Sequence, residues 1–228
     1  CGFGEDTFYI TKHLSKKVIG IELDEIKLLE ALKKFRRKGN STDAAFCVGD
    51  ALHVPFRSGR FNTILMTEVI EHLIDPEEGI KNCRYLLQEG GILVVSTQSL
   101  HNLGYSLNPF LLLEKAVSLT DDKVIPPYHN LHARFEYNWR RPEPEYGIHY
   151  HFSKKELRRM LTQNRFQILW EGTFEIEIPP YLFVEFLLNG DVGKIEKVIR
   201  PVEKFLRKIP LINQFGQHLL FVTQKKSL

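Results

Sequence analysis

Four short apolar runs, separated by stretches of helical periodicity, constrain this chain more than any other feature. Lys17–Glu22, Ala45–Asp50, Phe61–Met66 and Ile92–Ser96 each read as a buried strand. Between the first two, Ile26, Leu28, Leu29, Leu32 and Phe35 recur at helical spacing with charges between them, and Gly39-Asn40 ends the pattern. Asp75-Pro76 starts another helix over Glu77–Leu87, and Gly90-Gly91 turns it into the strand that follows. Strand and helix alternating at these intervals predict an α/β fold with a parallel sheet covered on both faces. Ligands of such sheets bind beyond the carboxyl ends of the strands. Glu22, Asp50 and Glu68 all fall there.

At the extreme start, Cys1-Gly2-Phe3-Gly4 is a glycine turn, followed by a short helix over Thr7–Ser15. Glycines there let the backbone bend sharply and approach a ligand that a Cβ would block. Glu22 follows Gly2 by about twenty residues, the distance at which nucleotide-binding folds place an acid for ribose hydroxyls. Asp24 is the reserve ligand, or the cap of the next helix. Asp50 reads either as an acceptor for the exocyclic amine of a purine or as a loop carboxylate that caps the following turn. The chain begins inside this turn and not at a Met, so a strand leading into it is expected in a longer protein.

With 228 residues, 43% hydrophobic and 26% charged, the chain suits one domain with a small insertion. Its net charge of +3 is too mild to call for nucleic acid, and the basic run Lys33, Lys34, Arg36, Arg37, Lys38 reads as a solvated helix face. Cys1, Cys47 and Cys83 lie too far apart for a metal-ligand pattern or a disulfide framework, which points to a reducing compartment, with the cytoplasm as the default. No apolar run reaches transmembrane length, and no signal peptide is expected.

From Gln98 to Tyr150 the alternation breaks into prolines, aromatics and histidines around one expected helix, Phe110–Leu119. This insertion reads as a substrate lid or as a surface excursion packed by its own rings. Ser153 caps a helix over Lys154–Asn164, Phe166–Trp170 resumes the sheet, and Gln217–Thr223 is the last strand. The expected division is a cofactor-binding part over 1–98, the insertion over 99–150, and a part completing the sheet over 151–228. Tyr181, Leu182, Phe183, Phe186 and Leu187, beside Lys194, Lys197, Arg200 and Lys204, suit a lipid-linked acceptor and membrane-surface contact, or an ordinary amphipathic helix.

Cys1-Gly2-Phe3-Gly4, Gly20-Ile21-Glu22, Gly49-Asp50-Ala51 with Pro55-Phe56, Glu68-Val69-Ile70-Glu71-His72-Leu73 and Leu86-Leu87-Gln88-Glu89-Gly90-Gly91, in this order, resemble class I S-adenosylmethionine-dependent methyltransferases. The likeness is strongest to the group around the ubiquinone-biosynthesis O-methyltransferases, and it covers Cys1–Gln98 closely. It implies a doubly wound, Rossmann-like, mostly parallel seven-stranded sheet, its first strand missing here and its last inserted antiparallel beside the fifth. By the same resemblance S-adenosylmethionine would be held by Gly2, Phe3, Gly4, Glu22, Leu23, Asp50 and Ala51, with Glu68 and Val69 near the sulfonium. Asn62 and Glu89 depart from the family's usual Asp and Pro.

Transfer to an oxygen needs alignment and removal of a proton. His72, assisted by Glu71, is one candidate base. Alternatively, Glu68, Glu71 and His72 would share one face of a helical turn and hold a divalent metal with His149 or His151 downstream, an arrangement the resemblance implies for quinone and small-RNA methyltransferases. Two carboxylates without a thiolate would suit Mg²⁺. A third reading makes Glu71 and His72 a hydrogen-bonded pair that orders the loop. The expected function is O-methylation of a small molecule, glycan or lipid-linked acceptor. Its rivals are a metal-dependent RNA 2′-O-methyltransferase, a non-catalytic nucleotide-binding protein of the same fold, and a nicotinamide oxidoreductase. Thr7, standing where the third glycine of GxGxxG belongs, disfavours the last.

Overall fold

The computed structural model describes residues 1–14, 16–37, 43–101, 150–174, 201, 204, 205, 208, 209 and 216–227. They form two compact units, Cys1–Arg57 and Ser58–Leu228. The expected helix Phe110–Leu119, the rest of the insertion from 102 to 149, and Tyr181 to Arg200 lie outside the described residues.

In the first unit the order is α1 (Glu5–Leu14), β1 (Val18–Glu22), α2 (Glu25–Arg37) and β2 (Ala44–Val48), with β1 and β2 parallel and Val18 opposite Ala44. The Asp24 carboxylate caps α2, accepting from the Ile26 N–H at 2.8 Å. Leu28, Ala31 and Phe35 form the buried stripe of α2, and the Phe35 ring meets Phe8 and Phe46 edge-on. Ile26 and Leu29, counted above with the apolar stripe, are 71% and 47% exposed, because burial follows the 28, 31, 35 row that faces the strands.

The second unit contains β3 (Phe61–Thr67), a 3₁₀ turn (Ile70–His72), α3 (Pro76–Leu86), β4 (Leu87–Gln98), α4 (Lys154–Gln163), β5 (Phe166–Phe174) and β6 (His218–Lys225). Its sheet runs β3-β4-β6-β5. β3 and β4 are parallel, whereas β6 lies antiparallel between β4 and β5. The last strand thus sits beside the Ile92–Ser96 run, as the resemblance implies. An Asp75 cap and a Pro at the helix start begin α3, and a full Ser153/Glu156 capping box begins α4. The core is Leu87, Leu93 and Val95 of β4, Leu219 and Phe221 of β6, and Ile80, Leu157, Leu161 and Phe166 around them.

The α/β class is as expected. The described residues make six strands in two sheets, of two and four strands, against an expected seven-stranded sheet whose first strand is missing here. Among the described residues no helix is long and apolar enough to cross a membrane.

Candidate functional site

The glycine turn is built as the sequence suggests, and its two glycines do different work. Gly2 (φ +53°) and Gly4 (φ +76°) both adopt the left-handed region, where a Cβ is strained. A Cβ at Gly4 would meet the Ala31 Cβ at 3.0 Å, so this glycine lets the turn lie against α2. At Gly2 a Cβ would meet nothing within 4 Å, which leaves open space above the backbone. The Gly2 N–H donates to Glu22 Oε2 at 2.6 Å and the Asp24 N–H to Glu22 Oε1 at 3.2 Å. Burial works against the charge on Glu22, whereas the bonds from the Asp24 and Gly2 N–H groups favour it. Leu23 and Phe3 present exposed apolar side chains on either side of these polar groups in sequence.

Asp50 is spent largely on its own turn. Its carboxylate accepts from the Leu52 N–H at 2.8 Å and lies 3.1 Å from His53 Nδ1. The Leu52 bond is the main reason its pKa falls below the ordinary carboxylate value. The capping reading is therefore present, and Ala51, half-buried, lies inside that turn.

In the second unit the Glu68 to His72 segment departs from the expected helical face. Glu68 precedes the 3₁₀ turn and adopts φ +51°, so Glu68, Glu71 and His72 do not follow one another along an α-helical turn. Glu71 is only 1% exposed, and its carboxyl accepts from the Thr97 hydroxyl at 3.0 Å. His72 is exposed. Among the described residues no group of three or more His, Cys, Asp or Glu side chains is placed to hold a metal ion, so Glu68, Glu71, His72 and His151 are not gathered there as the expected Mg²⁺ centre requires. The physical reason is the turn itself: the chain reverses hand at Glu68 and drives Glu71 inward. His149 lies outside the described residues. Burial depresses the pKa of His151, against a raising hydrogen bond that the ring donates to the Ser99 backbone carbonyl.

A different cluster replaces the expected one. The Ser96 hydroxyl donates to Glu68 Oε1 at 2.6 Å, and His218 Nδ1 lies 2.9 Å from Glu68 Oε2. Ser96 also anchors the backbone, accepting from the Glu68 N–H at 3.1 Å. The His218 ring stacks on Phe174 with centroids 5.0 Å apart and planes 20° from parallel. Glu68 and Glu71 hydrogen-bond to each other, and the environment separates them. Desolvation, then repulsion from Glu68, raises the Glu71 pKa to about 8. Burial opposes charge on Glu68 too, yet bonds from His218 and Ser96 outweigh it and keep its pKa low. The sequence reasoning missed His218 and Ser96. The only signal was their place at the edges of the predicted strands, Gln217–Thr223 and Ile92–Ser96, at the ligand end of the sheet.

Residues 1–95 match the family model described as a methyltransferase domain. The chain is 30% identical over 119 residues to norajmaline N-methyltransferase of Rauvolfia serpentina, covering 51% of this chain and 40% of that enzyme. A shorter stretch of 40 residues is 48% identical to the ubiquinone biosynthesis O-methyltransferase of Caulobacter vibrioides, covering 18% of this chain and 16% of that protein. The chain thus spans less than half the length of these curated relatives. In fold it resembles the crystal structure of a putative S-adenosylmethionine dependent methyltransferase from Listeria monocytogenes, with a TM-score of 0.62 at 18% identity over 100% of this chain and 87% of that one.

Proposed function

We propose that this chain, residues 1–95 of which match a methyltransferase-domain model, binds S-adenosylmethionine through residues 1–51 and methylates an oxygen of a small molecule, a glycan or a lipid-linked acceptor. The observation that carries the reading is the bare backbone at Gly2 beside an ionised Glu22. Open space above the Gly2 backbone, next to a strand-terminal carboxylate, fits an amino-acid-bearing nucleoside. When bound, the cofactor supplies an electrophilic methyl group on a sulfonium. Gly2 leaves room for its chain, the Glu22 carboxylate keeps acceptor capacity for ribose hydroxyls beyond the bonds it already takes, and Phe3, Leu23 and Ala51 offer apolar contact. Asp50, with its carboxylate partly held by Leu52, orders the turn that would meet the base.

Nitrogen acceptors are the second reading, favoured by the likeness to an enzyme named for N-methylation. The metal-dependent RNA reading draws no support from the described residues, which hold no metal-binding group.

The test is a calorimetric titration of S-adenosylhomocysteine into the protein and into Glu22→Ala. Loss of the charge-assisted bonds should weaken binding about 10- to 100-fold. Equal affinity in both, or no binding by a folded protein, removes the reading. A screen of phenol and amine acceptors, with and without Mg²⁺, then separates oxygen from nitrogen.

A further inference from the structure

We propose that the first unit docks on an anionic lipid surface by the end at which its strands begin, with Leu14 as the apolar contact and the cations closing α1 and α2 turned to the headgroups. This end is separate from the cofactor cradle, and the assignment does not depend on what that cradle binds. Topology gathers the cations. β1 and β2 run parallel with Val18 opposite Ala44, so α2 carries the chain back to the edge where both strands start. The Val18 N–H donates to the Asp43 carbonyl at 2.8 Å across that edge. α1 ends there too, because Leu14 stands only a few positions before β1.

Both helices are polarised in charge. Glu5 and Asp6 occupy the first turn of α1 and Glu25 that of α2, whereas Lys12 and His13 close α1 and Lys34, Arg36 and Arg37 close α2. Lys34 is spent on an ion pair with Glu5. Lys12, Lys16, Lys17, Lys33, Arg36 and Arg37 are exposed, and among the described residues none of these six forms an ion pair. Lys12 lies over the Phe8 ring, 5.6 Å from its centroid.

The dipole of each helix favours cations in its last turn. It accounts for neither Lys16 nor Lys17, which lie beyond α1, nor for Leu14, which is 56% exposed between them and Lys12 in the chain. An exposed leucine flanked by unpaired cations suits the boundary of headgroups and acyl chains, where apolar side chains insert and ammonium and guanidinium groups meet phosphates. Nucleic acid fits less well. A polyanionic strand follows a continuous basic track, and here that character stops along the helices, at exposed Glu30 and at the acidic first turns. A lipid surface touches the end alone. From Lys17 to Glu22 the extended chain covers about 16 Å, so docking at one end does not occupy the cradle at the other.

The test is co-sedimentation of the full chain with vesicles of phosphatidylcholine alone and of phosphatidylcholine containing about 30% phosphatidylserine. Binding should appear only with the anionic vesicles and should fall as salt rises from about 0.1 M to about 0.5 M. Each neutralised cation should weaken it about fivefold, so Lys16→Gln with Lys17→Gln, and Arg36→Gln with Arg37→Gln, should each lower the partition coefficient about 25-fold. Leu14→Ser should lower it about threefold to tenfold, with little dependence on salt. These side chains are exposed, and melting curves should confirm that the variants fold; if one does not, the vesicle comparison with the unaltered chain decides. No binding to anionic vesicles, equal binding to neutral ones, or wild-type binding by both first-unit pairs would overturn the proposal. An equal loss in Lys81→Gln with Lys155→Gln, exposed cations of the second unit, would overturn the assignment to this end. Salt-dependent binding of a poly(U) probe without vesicle binding would overturn it in favour of nucleic acid.

Discussion

The two compact units place their polar groups by opposite means. In residues 1–57 the contacts that shape the candidate cofactor cradle join neighbours in the sequence pattern: Gly2 with Glu22, Glu22 with Asp24, Asp50 with Leu52. Each carboxylate sits at a strand end and takes backbone N–H groups. In residues 58–228 the cluster joins Glu68, Ser96 and His218, the last of them 150 positions from the first. Its groups are side chains brought together by the register of β3, β4 and β6. A turn made by local backbone bonds tolerates rearrangement elsewhere, whereas a cluster made by register fails if any of three strands slips.

The comparison can be broken most forcefully at Gly4. Gly4→Val adds a branched side chain at φ +76°, 3.0 Å from Ala31, and should destabilise the first unit by about 2–5 kcal/mol, the sum of backbone strain and overpacking. Chemical denaturation measures it. Gly2→Ala, with nothing near its Cβ, should lose only the strain of its φ, about 1–2 kcal/mol, and a similar loss at both positions would show that the turn does not distinguish them.

A subtler contrast lies in pH. Glu71 keeps its proton in the folded protein up to about 8, while the unfolded chain releases it near 4.5. The folded pKa is the raised one, so this contribution is complete below 4.5 and is lost progressively as pH rises toward about 8. Glu71→Gln keeps a neutral group beside Thr97 and should flatten that decline, so that the variant gains several degrees of Tm over wild type between pH 5 and pH 8. Parallel melting curves across this range would place the buried proton elsewhere. The smallest effect is expected at the capping box of α4: Ser153→Ala should reduce stability by about 1 kcal/mol without moving the pH dependence.

The legibility of the chain follows the same division. Strand and helix identities were readable because burial imposes a period of two or 3.6 on apolar residues, and Asp24, Asp75 and Ser153 marked helix starts through their side-chain bonds to nearby N–H groups. Ile26 and Leu29 were misjudged because an amphipathic pattern identifies a face only approximately until its neighbour is known. The pattern from Glu68 to His72 was misread as a helical face. Spacing along a sequence becomes spacing in space only if the backbone continues in one conformation, and here a left-handed residue and a 3₁₀ turn intervene.

By itself, then, the sequence determined the α/β class, the elements and their caps, since each depends on residues close in the chain acting on their own backbone, and it placed the glycine turn and Glu22 at the spacing of a nucleotide-binding fold. Tertiary structure alone decided that Glu71 is a buried acid with a raised pKa and that Glu68 faces His218. Desolvation and hydrogen-bond partners set both facts, and those exist only once β3, β4 and β6 lie side by side.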